Sequence, residues 1–170
     1  MILLDALVLM LPAYLSSPGA VLSRGKRPID MGKNFTDGRR ILGDGKTFEG
    51  LIIGTLIGFT AGAVVEFFST KNTYGSYANI FLLSFGGLIG DLANSFLKRR
   101  LRVDRGGKLP LLDQLNLVFG AWFLCILFSR GWFLENFNWK IVLIVIIVTP
   151  ILHRGANLLA YGLRLKEVPW

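Results

Sequence analysis

The sequence is poor in the residues on which many soluble enzymes build their sites. One cysteine and one histidine occur in 170 residues, which excludes a disulfide within the chain and a cysteine metal cluster. Only 18% of residues are charged, whereas 52% are hydrophobic. Acidic residues are also scarce, with 11 against 19 basic residues and a net charge of +8. An apolar chain with clustered basic charge is typical of an integral membrane protein.

Five apolar stretches approach the length of about 20 residues that a membrane-spanning helix needs. They cover residues 2–22, 49–69, 77–97, 112–129 and 139–161. We therefore predict an all-α, polytopic membrane protein with five spans in a single integral membrane domain, 1–170. The first stretch has Asp5 where a signal peptide would carry positive charge, so we expect a retained span. Pro12 and Pro18 are expected to kink or break it.

Glycines recur in the second predicted span. Gly54, Gly58 and Gly62 are four residues apart and so share one face of a helix. Small residues at this spacing let two helix backbones approach closely in a membrane. We expect this face to pack against another helix.

Basic residues gather in two long polar segments, 23–48 and 98–111. The short segments 70–76 and 130–138 carry only Lys71 and Arg130. The positive-inside rule places both long loops in the cytosol, the N-terminus outside and the C-terminal "RLKEVPW" inside. The basic residues of the long loops are Arg24, Lys26, Arg27, Lys33, Arg39, Arg40, Lys46, Lys98, Arg99, Arg100, Arg102, Arg105 and Lys108.

The stretch "GDGKT", residues 43–47, is similar to the end of an NTPase phosphate-binding loop. That loop needs a glycine where this chain has Arg40, and it follows a buried strand, which is absent from the pattern here. We therefore reject the NTPase interpretation. Glycines before a helix still suit a phosphate, because the backbone N–H groups of the first turn favour an anion. The alternative is that Thr47 and Glu49 are ordinary helix-cap residues.

The first long loop interleaves three acids with its seven basic residues. Carboxylates bind Mg²⁺, while Lys and Arg bind phosphate oxygens. We expect a metal-nucleotide contact here, with Asp44 as a metal ligand or a loop-ordering group. The alternative is a solvated loop with local ion pairs. The candidate substrate contacts in this loop are Asn34, Asp37, Arg39, Lys46 and Thr47.

Polar residues follow a helical spacing at the end of the third span. Asp91, Asn94, Ser95 and Lys98 lie at i, i+3, i+4 and i+7, on one helix face. Asp91 is seven residues inside Lys98, about 10 Å along a helix. A carboxylate at that depth is costly without a partner, so it is a functional-site hypothesis. The alternative is a protonated aspartic acid in an interhelical hydrogen bond.

The fourth span begins with Asp113 and Asn116, three residues apart. Asp113 alone is explained by the dipole at a helix N-terminus. Together with Asp91 it gives two carboxylates at the ends of adjacent spans. Two carboxylates with several lysines and arginines suit metal-assisted phosphoryl or nucleotidyl transfer. We predict Asp91, Lys98 and Asp113 as catalytic, Asp91 and Asp113 as metal ligands, and Asp44 and Asn116 as further candidate ligands.

These motifs resemble the signature of the membrane-bound CTP:phosphatidate cytidylyltransferases. Ser95, Lys98 and Arg99 match its first part and Asp113 its second, whereas Gln114 and Asn116 depart from it. With five spans and "DGRRILGDGKTFEG", the chain resembles the archaeal branch, the CDP-archaeol synthases. The resemblance implies a Mg²⁺-dependent reaction in which the lipid 2,3-bis-O-geranylgeranylglycerol 1-phosphate attacks the α-phosphorus of CTP and releases pyrophosphate. It also implies that Asn94, Ser95 and Arg99 contact the nucleotide.

The partners we expect are CTP, an isoprenoid glycerol-phosphate lipid and the cell membrane, with the site at the cytosolic face. We expect neither nucleic acid nor an obligate protein partner. A CDP-alcohol phosphotransferase is the chemical alternative, although only Asp37-Gly38 of its motif is present. A small transporter or a scaffold for anionic lipid is the alternative of another class.

Overall fold

The computed structural model describes residues 2–103, 107, 109 and 111–163. Within these ranges the chain is all-α, with isolated bridges as its only β-pairing. Arg105, Lys108 and the C-terminal segment 164–170, to which the sequence assigned cytosolic charge, lie outside the described residues. The helices are α1 (Ile2–Leu22), α2 (Phe48–Phe68), α3 (Tyr77–Arg100), α4 (Leu112–Phe128), α5 (Arg130–Asn136) and α6 (Trp139–Gly162).

Four helices of the described chain are long and apolar enough to cross a membrane, namely α1, α2, α3 and α6. The fifth apolar helix, α4, has 17 residues and is therefore about 25 Å long. The predicted bounds of α1, α2, α4 and α6 agree with the structure to within one residue. Continuous apolar runs of this length form helices in a membrane, because a helix satisfies its backbone hydrogen bonds within one segment.

Two predictions about the polar segments between the spans were wrong. Residues 130–136 form α5, where a loop was expected, because Phe133 is buried and stacks on Phe137. The third span continues to Arg100, so the second long loop begins at Leu101 and not at Lys98. Basic residues favour this extension, since they form helices well and interact favourably with the helix C-terminus.

Of the predicted kink or break in α1, the break does not occur, because the helix runs unbroken through Pro12 and Pro18. A proline has no N–H, so Pro12 leaves the carbonyl of Val8 without its helical donor. The hydroxyl of Tyr74 donates a hydrogen bond of 2.5 Å to that carbonyl. Tyr74 is fully buried in the connection between α2 and α3. A side chain from a neighbouring segment thus satisfies the group that the proline leaves free.

The glycine face of α2 packs as predicted. Gly54 faces α1 so closely that a Cβ there would lie 2.5 Å from the carbonyl oxygen of Ser16. A Cβ on Gly58 would meet the carbonyl of Pro12 and would lie 2.8 Å from the Cβ of Ser84 on α3. These glycines therefore hold α1, α2 and α3 together.

A second glycine contact joins α3 to α4 beside the predicted catalytic residues. A Cβ on Gly90 would collide with the carbonyl oxygen of Asn116, and a Cβ on Gly120 with that of Gly86. The two backbones are therefore in direct contact. Gly90 precedes Asp91, so this contact sets Asp91 of α3 beside the start of α4.

Candidate active site

Three segments of the chain meet at Asp91. The ammonium group of Lys46, from the first long loop, donates a hydrogen bond to Asp91 Oδ2 and forms an ion pair with it. Asn116 of α4 donates to Asp91 Oδ1 from Nδ2, at 3.4 Å. The carboxylate that the sequence placed inside the third span thus has a basic partner and an amide partner, as its cost of burial requires.

Asp113 is the centre of a second group of contacts. Lys98 Nζ lies 2.6 Å from Asp113 Oδ1, and Asn94 Nδ2 donates to the same oxygen at 2.7 Å. The other oxygen accepts the backbone N–H of Leu109 at 2.8 Å. Asp113 therefore holds the end of the second loop and also joins the polar face of α3.

The two lysine–aspartate pairs share α3. Asp91, Asn94 and Lys98 were predicted to lie on one face of this helix, and the contacts of all three with the first loop or α4 agree with that placement. Ser95 lies on the same helix and is half-buried. The two carboxylates are supplied by adjacent helices whose backbones touch at Gly90.

Thr47 caps α2, as the alternative interpretation predicted. Its Oγ1 accepts the backbone N–H of Gly50 at 3.1 Å, which satisfies one free donor of the first turn. Glu49 is bound instead by Arg27, whose Nε lies 2.8 Å from Glu49 Oε1. Contact of Thr47 with nucleotide phosphate stays a prediction.

Asp30 organises the first loop, a role the sequence did not single out among the three acids. Its side chain is fully buried and pairs with Arg40 at 2.6 Å. It also accepts the backbone N–H groups of Leu42 at 3.0 Å and Gly43 at 2.8 Å. Although burial opposes ionisation, these donors hold the pKa of Asp30 well below its usual range. The Asp30 carboxylate in turn raises the pKa of Arg40.

Arg100 binds the turn of the first loop, residues 34–40, to α3. Its guanidinium lies over two rings that contact each other edge to face, 4.7 Å from the centroid of Phe35 and 4.9 Å from that of Phe96. It donates to the carbonyl of Arg40 at 2.7 Å and lies 3.2 Å from a carboxylate oxygen of Asp37. The spacing of Phe96 and Arg100, four residues apart on one helix face, is the sequence signal that could have identified this site.

The other predicted contacts of the first loop lie near this turn. Asn34 pairs with Arg40 in an isolated bridge, and the carbonyl of Arg39 accepts the N–H of Phe35 at 2.7 Å. Arg100, which binds this turn, lies nine residues beyond Asp91, about 13 Å along α3.

Asp44 and Arg99 also lie at the first loop. Asp44 contacts Arg40 at 2.7 Å with its side chain 62% exposed, which agrees with the loop-ordering interpretation. Arg99 lies against Gly43, where a Cβ would be 3.7 Å from its Nε.

The carboxylate oxygens of Asp91 and Asp113 and the amide oxygens of Asn94 and Asn116 are the ligand type that suits a hard divalent cation. In the described ranges no three His, Cys, Asp or Glu side chains form a group that could hold a metal. Mg²⁺, however, usually takes one or two carboxylates and completes its shell with substrate phosphates and water. Asn94 Oδ1 is buried with no hydrogen-bond partner among the described residues. An unsatisfied oxygen beside Asp113 fits a cation ligand, so the residues fit Mg²⁺.

Comparison with known proteins decides the family. A sequence model of the CarS-like family, described as CDP-archaeol synthase, matches residues 1–170. The chain belongs to the CDP-archaeol synthase family. The family resemblance seen in the two loops is thereby confirmed.

Relatives in the CDP-archaeol synthase family match along nearly the whole chain. The CDP-archaeol synthase of Methanosarcina acetivorans is 45% identical over 95% of this chain and 100% of its own length. That of Methanospirillum hungatei is 44% identical with the same coverage. A solved structure of an intramembrane enzyme for archaeal membrane lipids biosynthesis is 36% identical, with a TM-score of 0.78 over 92% of this chain and 94% of that one. The likeness in fold and the apolar helices together indicate a multi-pass membrane protein.

Proposed function

We propose that this protein is a membrane cytidylyltransferase that joins CTP to 2,3-bis-O-geranylgeranylglycerol 1-phosphate. The products are the CDP-activated lipid and pyrophosphate. The observation that carries the proposal is the pairing of Lys46 with Asp91 and of Lys98 with Asp113 across touching helices, in a chain of the CDP-archaeol synthase family.

The proposed step forms one phosphorus–oxygen bond and breaks another. A phosphate oxygen of the lipid attacks the α-phosphorus of CTP, and the bond from that phosphorus to the pyrophosphate oxygen breaks. The attacking oxygen comes from the substrate, so the site needs no serine or cysteine nucleophile. Catalysis then depends on positioning and on neutralising phosphate charge.

The two lysines are the groups that neutralise this charge. Their ammonium groups lie against the carboxylates of Asp91 and Asp113. We propose that triphosphate oxygens take the place of those carboxylates when CTP binds. The exchange keeps each ammonium group paired while it frees Asp91 and Asp113.

Mg²⁺ is the proposed cofactor. Asp91 and Asp113 would hold it, helped by the amide oxygens of Asn94 and Asn116, and Asp44 remains a further candidate. When bound by these residues, Mg²⁺ would neutralise negative charge on the phosphate oxygens and help to position the triphosphate. The buried, unsatisfied Asn94 Oδ1 supports this assignment.

Contacts with the rest of the nucleotide are assigned to the first loop and to the end of α3. Asn34, Asp37, Arg39 and Thr47 would act from the first loop, and Ser95 and Arg99 from the end of α3. The first loop is held to α3 by Arg100 and by Lys46, which supports its placement over the site.

The proposed topology has five spans in one domain, with the N-terminus outside and the C-terminus inside the cell membrane. At about 25 Å, α4 matches most of the roughly 30 Å hydrocarbon core. The basic residues of both long loops support a cytosolic active site.

Turnover by the purified protein tests the proposal. The protein in detergent is incubated with labelled CTP, Mg²⁺ and a polyprenyl-glycerol phosphate. CDP-lipid and pyrophosphate in equal amounts are expected. No product would overturn the proposal, and consumption of added CDP-lipid with an alcohol acceptor would indicate the phosphotransferase instead.

A further inference from the structure

A cavity of about 80 Å³ lies where α1, α2 and α3 meet the first loop. Its lining is mixed in character. The charged pair Lys46 and Asp91 lines it together with Thr47, whereas Val21, Leu51 and Leu92 are among its apolar residues. A single water needs about 10–15 Å³, so the cavity has room for a phosphate group and part of a glycerol.

We infer that this cavity binds the glycerol-phosphate end of the acceptor lipid. The inference rests on the proposed function and assigns the second substrate to a place in the fold. A ligand that suits both an ammonium group and aliphatic side chains must itself be amphipathic. A phosphate attached to a glycerol that carries hydrocarbon chains meets that condition. The triphosphate of CTP does not, because it is polar throughout and gains no favourable contact from aliphatic side chains.

The position of the cavity brings this lipid phosphate to the reacting site. Lys46 lines the cavity and also pairs with Asp91, so one ammonium group is within reach of both substrates. The acceptor phosphate would approach CTP from the side of α1, while the second pair, Lys98 and Asp113, does not line the cavity.

The chains of the lipid leave the cavity past Val21. Val21 is 39% exposed on the last turn of α1, and it is followed by Leu22, which is 58% exposed. This apolar outer surface belongs to a helix long enough to cross the membrane. The phosphate can therefore reach the loop while the chains stay in the bilayer.

Narrowing the cavity mouth tests the inference by kinetics. Val21→Trp is expected to raise the KM for the lipid phosphate about tenfold while the KM for CTP changes less than about twofold. Leu22→Trp is the matched control, since it adds the same ring at the next exposed position, outside the lining, and should leave both values unchanged. An unchanged KM for the lipid phosphate, or equal rises for both substrates, would overturn the inference. If the native protein makes no CDP-lipid at all, the proposed function fails instead.

Chemical protection of Val21→Cys gives a readout that does not depend on turnover. The native Cys125 is fully buried, so the native chain in detergent is the background for alkylation by a maleimide. We expect polyprenyl-glycerol phosphate to slow the alkylation several-fold, and the dephosphorylated polyprenyl glycerol, inorganic phosphate and CTP to have little effect at the same concentrations. Equal protection by inorganic phosphate or CTP would show a free-phosphate site, and equal protection by the dephosphorylated lipid would show an apolar groove alone. Either result, or no protection by the lipid phosphate, overturns the inference.

Discussion

Lys46 of the first loop is paired with Asp91 of α3, although 45 residues separate them in the chain. About a quarter of each side chain is exposed, so the attraction within the pair mainly offsets the cost of burying its two charges, and the pair adds little net stability. Its consequence is geometric, because it holds an ammonium group and a carboxylate together at the junction of a loop and two helices. Loss of either charge should therefore disturb the chemistry of the site.

Neutralising the carboxylates tests their proposed role directly. Asp91→Asn and Asp113→Asn should each lower kcat by about a hundredfold or more, because each removes a proposed ligand of the Mg²⁺ that would neutralise phosphate charge. Both variants should elute from size-exclusion chromatography in detergent like the native protein. Asp5→Asn, at an exposed site on α1, is the control. Full activity in both site variants would remove these residues from the mechanism.

Arg100 should matter for nucleotide binding through the order of the first loop. Arg100→Ala removes the contacts with Phe35, Phe96, Asp37 and Arg40. We expect faster amide hydrogen exchange over residues 34–40 and a KM for CTP raised about tenfold, with kcat less affected.

Two variants distinguish this effect from a general loss of charge. Arg100→Lys keeps the charge but loses the planar stacking and the forked donors, so it should recover only part of the protection. Arg102→Ala, at an exposed position beyond α3, should leave exchange in the turn unchanged. Native exchange in Arg100→Ala would show that other contacts order the loop.

The contact of Gly90 with α4 predicts a large effect from one methyl group. Gly90→Ala would set a Cβ against the backbone of Asn116, and neither helix can move without disturbing the other glycine contacts. We expect destabilisation of about 1–3 kcal/mol together with loss of activity, measured by thermal unfolding in detergent and by turnover.

Gly155→Ala is the matched control for this change. Gly155 lies within α6, and a Cβ added there would meet no other atom within 4 Å. Alanine at this position should stabilise the helix by up to about 1 kcal/mol. Equal melting temperatures for Gly90→Ala and the native protein would contradict the close packing of α3 and α4.

Asp30 predicts how the first loop responds to acid. Its pKa is lower in the folded protein than in the unfolded chain, so its ionised form favours the folded loop. That stabilisation is complete above the ordinary aspartate pKa of about 3.9 and is lost as the pH falls through that value toward the lower folded pKa. Protection of the Leu42 and Gly43 amides, measured by hydrogen exchange corrected for intrinsic rates, should persist from pH 7 to about pH 4 and fall below it.

Asp30→Asn is the matched variant for this titration. It keeps the shape of the side chain but loses the charge that binds Arg40, so protection should be weak at every pH. Loss of protection in the native protein near pH 6 would show that another group controls the loop.

The helices and the polar face of α3 could be predicted because both depend on spacing along one segment. Long apolar runs fix the helices, and a period near 3.6 places Asp91, Asn94 and Lys98 together. The close packing of α2 against its neighbours could also be predicted, because the four-residue spacing of Gly54, Gly58 and Gly62 lies within one helix.

The organisation of the first loop could not be predicted, because it depends on contacts between distant positions. Asp30, Asp37 and Asp44 look alike in the sequence, and only the fold shows that Asp30 is buried among backbone donors. The unbroken α1 likewise depends on Tyr74, whose hydroxyl reaches a carbonyl 66 residues away. The short helix α5 was missed because its aromatic packing on Trp122 is also a tertiary effect.

The fate of two labels on CTP tests the central claim most directly. CTP labelled at the α-phosphorus or at the γ-phosphorus is given to the purified protein with Mg²⁺ and a polyprenyl-glycerol phosphate, and lipid and water-soluble products are separated. Cytidylyl transfer predicts that the α label enters the lipid and the γ label leaves as pyrophosphate. The γ label in the lipid, or neither label there, would contradict the account.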